Sequence, residues 1–371
     1  MIPPALFDKT LRALMQPIVP YLDDASVSEI MINGPDTIFV ERRGRLERVP
    51  ARFESPDHVL SALRNIAQYA GSFIDETRPI LEARLPDGSR VEAVIPPIAE
   101  AGPTIAIRRF SKASLRLDDL VRFNSLSEDA AQALVGMTRG KCNIVVAGGT
   151  GSGKTSLLNV LAGVMPEHER LLVLEDTREI SIDREHVVYL TGRKPDQQGE
   201  LEVSIRDLFR ASLRMRPDRI IVGELRGAEA LDLVQATVSG HGGCLCTLHA
   251  TYPHDTMTRL ETMCMMSDLD MPLAAIRAQL ASGIDVIVQV SRLQNGQRGV
   301  THVTEVLGLD ADSQHYQLRD LFVRRMDAQT SRLVATGESP AFLNRLAEHG
   351  VTLPTALFAA PDRPNRKETT P

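Results

Sequence analysis

Residues 148–155 have the types and the spacing needed to bind a nucleoside triphosphate. Gly148, Gly153, Lys154 and Thr155 match the pattern G-x-x-x-x-G-K-[ST]. Glycines let successive backbone N–H groups turn toward phosphate oxygens, and a helix that begins here adds its N–H groups and positive dipole end. Lys154 can reach the β- and γ-phosphates, and the Thr155 hydroxyl can bind Mg²⁺. The predicted ATP-binding residues are Gly148, Gly149, Thr150, Gly151, Ser152, Gly153, Lys154, Thr155 and Ser156.

The residues on either side of this loop have the pattern that the motif requires. Residues 143–147 are largely apolar and β-branched, which is typical of a buried strand. Residues 156–161 are good helix formers. The order strand, glycine loop, helix favours a phosphate-binding loop over the alternative, a glycine turn that ends in Lys-Thr by chance.

Three further apolar segments each end in an ionisable residue. Residues 171–174 precede Glu175 and Asp176, residues 219–222 precede Gly223 and Glu224, and residues 244–248 precede His249. Because helical patterns separate these strands, we predict a mostly parallel sheet with helices on both faces. The carboxyl ends of its strands form one edge, where ligands bind. We therefore expect the phosphate-binding loop, Glu175, Glu224 and His249 to converge.

Each of these side chains has a chemical interpretation and a structural alternative. Glu224 can orient or deprotonate the water that attacks the γ-phosphate, or hold Mg²⁺ through water; the alternative is a solvent-facing glutamate at a strand end. Glu175 can belong to the outer shell of the metal together with Asp176, or can cap the turn that begins at Thr177. His249 can sense the γ-phosphate, or be a histidine of the core or surface.

A zinc site is a competing interpretation of the segment around His249. His241, Cys244, Cys246 and His249 have the pattern H-x-x-C-x-C-x-x-H. On a strand, Cys244 and Cys246 share one face while His249 falls on the other, whereas zinc needs four converging ligands. We therefore predict that the cysteines pack as small apolar residues.

Arginines are the usual partners of a γ-phosphate in the transition state. The candidates for nucleotide contact are Arg90, Arg108 and Arg109, on strands near the N-terminus. For any one of them a surface ion pair is the alternative, so the prediction applies to the set. The same two interpretations, contact with nucleotide or a surface ion pair, apply to Arg84, Arg210, Arg214 and Arg216.

Composition restricts the class of protein. The 371 residues have a formal net charge of −6 and 4% aromatic residues, without tryptophan. This balance disfavours direct binding of nucleic acid. No apolar run has the length of a membrane span, and residues 1–4 do not resemble a signal peptide. We expect a cytoplasmic protein that contacts membranes through partners.

Taken together, these motifs resemble those of the type II/type IV secretion ATPases, most closely the CpaF-like branch of Tad pilus assembly. Residues 148–155 resemble the family's Walker A motif, and residues 174–177 its Asp box. Residues 215–226 resemble an atypical Walker B motif, in which Gly223 precedes Glu224, and residues 240–250 resemble the His box. Residues 85–90 and 104–110 look like parts of the N-terminal domain; the resemblance spans about residues 20–330.

The resemblance implies a RecA-like P-loop ATPase domain that follows a smaller PAS-like α+β domain. The expected boundaries are an N-terminal helical segment (1–20), the PAS-like domain (21–112), a linker (113–126), the ATPase domain (127–340), and a C-terminal helix with a disordered tail (341–371). It also implies a homohexameric ring, N-terminal arginines that close on phosphate, and an inner-membrane platform protein as partner. Glu224 becomes the catalytic carboxylate, Glu175 its acidic partner and His249 the His-box residue.

Three functions follow from this interpretation. The leading hypothesis is a motor ATPase for pilus assembly or protein secretion, located at the inner membrane through its partners. The first alternative is a translocase for nucleic acid, such as conjugative DNA; the low aromatic content and negative charge disfavour it. The second alternative is a nucleotide-binding scaffold without turnover, which would not need Glu224.

Overall fold

The computed structural model describes residues 4–42, 44–109, 115–193, 195, 201–293, 295–326 and 331–361. Its contacts divide the chain into two compact units, Met1–Ala113 and Ser114–Pro371. We call these the N-terminal unit and the C-terminal unit. The start of the predicted linker at 113–114 and the predicted tail after residue 361 lie outside the described residues.

The N-terminal unit is an antiparallel sheet with helices against one face. Its elements are α1 (Pro4–Leu14), a 3₁₀ turn (Gln16–Ile18), α2 (Val19–Asp23), β1 (Val27–Asn33), β2 (Ile38–Arg42), β3 (Arg45–Val49), α3 (Pro56–Tyr69), β4 (Ile80–Arg84), β5 (Arg90–Val94) and β6 (Thr104–Arg108). The strand order is β3-β2-β1-β6-β5-β4. Alternate strand residues such as Val91 and Ala93 are buried against α1 and α3. Phe7 of α1 stacks on Tyr69 of α3, so the predicted N-terminal helical segment contributes to this core.

The C-terminal unit contains a nine-stranded sheet. Its elements are α4 (Leu117–Arg122), α5 (Glu128–Arg139), β7 (Ile144–Gly148), α6 (Lys154–Gly163), β8 (Leu171–Glu175), β9 (Val187–Thr191), α7 (Ile205–Ser212), β10 (Arg219–Val222), α8 (Glu229–Val238), β11 (Leu245–Leu248), α9 (Pro253–Met265), α10 (Leu273–Gly283), β12 (Val286–Arg292), β13 (Arg298–Leu309), β14 (Tyr316–Met326), β15 (Ser331–Ala335), α11 (Leu343–Glu348) and a 3₁₀ turn (Thr355–Phe358). The order is β15-β14-β13-β12-β7-β11-β10-β8-β9. From β12 to β9 neighbouring strands are parallel, and from β12 to β15 they are antiparallel. The predicted α/β fold with a parallel-rich sheet is confirmed.

Both faces of the parallel strands are covered, which explains their continuous apolar sequence. On β7, Ile144 and Val146 belong to one core cluster and Val145 and Ala147 to the other. The first cluster is shared with α5, α6 and the C-terminal segment, and the second with α7 to α10. The first core includes Leu346, Leu357 and Phe358, beyond the predicted domain end at residue 340.

Several elements differ from the sequence predictions. Helix α4 occupies part of the predicted 113–126 linker, because Asp119 accepts from the Arg116 N–H at the helix start and Leu120 is buried. Strands β3, β9 and β15 were not predicted from the sequence. In the described sheets, β3 and β15 are edge strands that pair on one side. Four of the five residues of β3 are exposed, so its sequence lacks the alternation that is typical of a half-buried strand.

None of the helices in the described ranges combines the length and the apolar character that crossing a bilayer requires.

Candidate functional site

The phosphate-binding loop joins β7 to α6 in a conformation that needs glycine. Gly153, the residue before α6, has φ of 98°, a left-handed conformation that side chains disfavour. At Gly148, a Cβ atom would lie 2.3 Å from the Val290 carbonyl oxygen on β12. A Cβ at Gly149 or Gly151 would meet nothing within 4 Å in the described chain, so the space beside these two glycines is open. The buried Ser152 hydroxyl has no hydrogen-bond partner among the described residues. An open loop with an unsatisfied hydroxyl fits a bound phosphate.

The sheet order places the predicted residues along one edge. The strands β7, β11, β10 and β8 are consecutive neighbours and parallel. Their carboxyl ends lead to the phosphate-binding loop, His249, Glu224 and Glu175, in that order. Sequence position alone places Glu175 next after the loop, whereas the sheet places it farthest away.

Three of the predicted side chains contact one another. His249 Nε2 lies 2.8 Å from Glu224 Oε1 and 3.4 Å from Lys154 Nζ. Lys154 Nζ also donates to the carbonyl oxygens of Gly148 and Gly149, at 3.1 and 3.0 Å. A nitrogen 2.8 Å from a carboxylate must carry a proton, so we assign the His249 proton to Nε2. Burial, followed by the charge of Lys154, lowers the pKa of His249, which favours the neutral ring at pH 7.

Glu175 makes the turn contacts of the structural alternative, whereas its role near the metal stays a prediction. Its Oε1 accepts hydrogen bonds from the backbone N–H groups of Glu179 and Ile180, at 2.9 and 3.0 Å. Only 5% of the residue is exposed, and burial raises the pKa of its carboxyl group to about 7. Glu175 also fills the space beside Gly223, where a Cβ atom would lie 2.7 Å from Glu175 Cγ. This contact explains why a glycine precedes Glu224 in place of the usual Walker B aspartate.

The sequence analysis gave no role to Arg226 or Gln289. Arg226 Nε donates to Glu224 Oε2 at 2.9 Å, and Arg226 Nη1 lies 3.3 Å from Asp176 Oδ2. Gln289, buried on β12, donates from Nε2 to the Ala250 carbonyl oxygen at 2.9 Å and thereby holds the residue after His249. The position of Arg226 two residues after Glu224 was a usable signal. Gln289 had none, because it lies within an apolar strand.

The predicted N-terminal arginines lie in the other unit, and two of them are neighbours. Arg90 on β5 is in cross-strand register with Arg108 on β6, and Arg90 Nη2 lies 3.5 Å from Glu82 Oε1. Arg109 is not with them: its guanidinium donates to the carbonyl oxygens of Asp24 and Val27. A contact of Arg90, Arg108 or Arg109 with nucleotide stays a prediction.

The cysteines of the competing zinc interpretation are buried. Cys244 and Cys246 belong to the core on the α7 to α10 side, and the Cys244 thiol lies 3.2 Å from the His241 carbonyl oxygen. Burial raises the pKa of the Cys244 thiol to about 12. Across the described residues, no three His, Cys, Asp or Glu side chains are grouped as a metal site would require.

Comparisons with known proteins agree with this architecture. A model of the family "Type II/IV secretion system protein" matches residues 12–334. The chain is 35% identical over 326 residues to the type IV secretion system protein PtlH of Bordetella pertussis, covering 80% of this chain and 95% of PtlH. It is 34% identical over 319 residues to the conjugal transfer protein TrbB of Rhizobium radiobacter, covering 85% and 94% of the two chains.

Solved structures show the same fold. The Yersinia pseudotuberculosis ATPase DotB has a TM-score of 0.58 and 20% identity, over 81% of this chain and 79% of DotB. The pilus retraction motor PilT, with bound ADP, has a TM-score of 0.53 and 17% identity, over 92% of this chain and 86% of PilT.

Proposed function

This chain belongs to the type II/IV secretion system protein family, and we propose that it is an ATP-hydrolysing motor of such a system. One observation carries the proposal: Lys154, His249 and Glu224, from three adjacent strand ends, meet beside the phosphate-binding loop. A loop that only held nucleotide would not need a carboxylate fixed at this position.

Each residue has a part in the proposed reaction. Loop N–H groups and Lys154 bind the phosphates, and Lys154 offsets the charge that develops during hydrolysis. Glu224 orients and deprotonates the attacking water. His249, neutral with its proton on Nε2, donates to Glu224 Oε1 and holds that carboxylate toward Lys154.

Mg²⁺ is the metal that the chemistry implies, and the oxygen donors of the site fit it. Thr155 is the second residue of α6, and Glu224 and Glu175 lie at the ends of the adjacent strands β10 and β8. Hydroxyl and carboxylate oxygens are the protein ligands that Mg²⁺ prefers. We propose that Thr155 holds the ion, with Glu224 and Glu175 in its surroundings. The bound ion would neutralise phosphate charge during transfer.

The finer assignments are part of the same proposal. We place the protein on the cytoplasmic side of the inner membrane, as a homohexamer acting on a platform protein in pilus assembly or protein secretion. The similarity to PtlH supports type IV secretion. Membership of the CpaF-like Tad pilus branch stays a prediction from the sequence.

Steady-state hydrolysis of Mg·ATP, measured together with the mass of the protein in solution, tests the proposal. We expect turnover from a species of six chains, lost in Lys154→Ala and retained in the control Lys9→Ala, which changes an exposed lysine of α1. Glu224→Gln should lose turnover and keep ATP affinity. A monomer that binds ATP without turnover, even with the membrane components added, would instead identify a scaffold.

One observation favours a second function, DNA transfer in conjugation. The relative TrbB is named for conjugal transfer. The net charge of −6 argues against direct DNA contact. DNA that stimulates hydrolysis several-fold, with a strong dependence on salt, would support this second function, whereas unchanged rates with single- and double-stranded DNA would exclude direct action on DNA.

A further inference from the structure

Arg226 joins two carboxylates from adjacent strand ends. Its Nε and Nη2 both donate to Glu224 Oε2, and its Nη1 lies 3.3 Å from Asp176 Oδ2. Asp176 follows β8 and Glu224 follows β10, and these two strands pair in parallel. A planar guanidinium suits this geometry, because its donors point in fixed directions toward two acceptors. We call the two donors to Glu224, Nε and Nη2, the fork of Arg226. The ammonium group of a lysine has no such fixed pair of donors.

The backbone beneath Arg226 is held independently of its side chain. The buried Glu229 accepts from the N–H groups of Arg226 and Gly227, at 2.6 and 2.9 Å. The Leu225 N–H donates to the Thr247 carbonyl oxygen of β11 at 2.8 Å. These bonds attach residues 225–227 to α8 and β11. A change of the Arg226 side chain should therefore leave the path of the chain in place.

Glu224 depends on its polar neighbours for its orientation. Its side chain is 22% exposed, and its two oxygens have different partners: Oε1 contacts His249 and Oε2 contacts Arg226. A carboxylate has about four acceptor positions, and these two partners donate to three of them, which leaves about one for water. Removing the Arg226 contact would free the Glu224 carboxylate to rotate about its last side-chain bond.

We propose that Arg226 is the positioning residue of Glu224, with Asp176 as its anchor. The inference rests on the proposed function, in which Glu224 orients the water that attacks the γ-phosphate. Arg226 acts through Glu224, and it sets the direction of the carboxylate toward that water. Asp176 keeps the guanidinium between the two strand ends, where its fork meets Glu224.

Kinetics of four variants of the full chain test this inference. In Arg226→Gln we expect kcat for ATP to fall by roughly ten- to a hundredfold, the worth of a hydrogen bond to a charged group, with KM within about twofold. Arg226→Lys should recover part of the loss, because its charge can reach Glu224 without the fork. Asp176→Asn should lose less than Arg226→Gln. The double variant should lose no more than Arg226→Gln alone, since both changes break one chain of contacts.

Arg12→Gln is the matched control. Arg12 is a half-exposed arginine on α1 that also joins two carboxylates, Asp8 at 3.1 Å and Asp23 at 3.0 Å, and the proposed reaction gives it no role. We expect its kcat and KM to equal those of the wild type. A loss of kcat in this control as large as in Arg226→Gln would show that surface ion pairs in general affect turnover, and would overturn the inference.

Three further results overturn the inference while leaving the proposed function intact. They are an unchanged kcat in Arg226→Gln, a loss confined to KM, and losses of Arg226→Gln and Asp176→Asn that add in the double variant. If Arg226→Gln does not fold, Arg226→Lys decides alone: a kcat equal to the wild type would refute the need for the fork. The proposed function fails separately, if the wild-type protein shows no hydrolysis that depends on Lys154.

Discussion

Gly223 is the residue whose replacement tests most directly how the site is built. In Gly223→Ala, the new Cβ atom would lie 2.7 Å from Glu175 Cγ, 3.2 Å from its Oε1 and 3.4 Å from its Cδ. A separation of 2.7 Å between carbon atoms is well inside van der Waals contact, which begins near 3.5 Å. Either the backbone or the Glu175 side chain must therefore move.

The Glu175 side chain has little freedom to move. It is buried, and its Oε1 accepts from the N–H groups of Glu179 and Ile180. Displacing it would lengthen two hydrogen bonds in a dry environment, and retaining it would leave the clash. Inserting one methyl group into a well-packed interior costs about 1–3 kcal/mol. At about 2 kcal/mol, the Tm of a unit of this size should fall by roughly 4–8 °C.

Scanning calorimetry of the full chain without nucleotide measures this effect, on the transition of the C-terminal unit. The matched control is Gly163→Ala at the end of α6, where a Cβ would meet nothing within 4 Å; its Tm should rise slightly or stay unchanged. In Gly223→Ala with Glu175→Ala the clash is absent, so the double variant should be more stable than the sum of the two single losses predicts. A Gly223→Ala protein that melts with the wild type, or strict additivity, would refute the explanation for the missing aspartate.

Three further predictions concern stability. Burial raises the pKa of Glu175 from 4.5 to about 7, so the folded state binds a proton more readily than the unfolded state. Proton binding therefore stabilises the folded state at low pH, and this stabilisation is lost as pH rises through about 7. The Tm of Glu175→Gln minus the Tm of the wild type should therefore be larger at about pH 8 than at about pH 5. A Tm difference that does not vary with pH would contradict this. Arg219→Met leaves the buried Glu169 carboxylate without the guanidinium that contacts it at 2.7 Å, and should cost about 3–5 kcal/mol in denaturant titration, most of it recovered by adding Glu169→Gln. Ser204→Ala removes the cap that accepts from the Asp207 N–H at 3.2 Å and should cost about 1 kcal/mol, so an unchanged unfolding midpoint would show that the cap contributes nothing.

Much of the C-terminal unit was predictable because its signals are local. The phosphate-binding loop is recognised from the spacing of its glycines and lysine, and β7, β8, β10 and β11 from apolar runs that reflect burial on both faces. The start of α5 carries a signal of the same local kind, because the Ser127 hydroxyl accepts from the Ala130 N–H. Edge strands such as β3 were not predictable, because exposed residues carry no periodic pattern.

By itself, the sequence determined which residues end the central strands and therefore which side chains share one edge of the sheet. Strand direction and alternation are enough for that conclusion, since parallel strands bring their carboxyl ends together. Only the tertiary structure decided what each side chain contacts there. There, Glu175 accepts a hydrogen bond from the backbone turn at Glu179. His249 lies between Lys154 and Glu224, and Arg226 donates to Glu224. These outcomes depend on strand order and on distances between segments far apart in the chain, which residue types and local spacing do not specify.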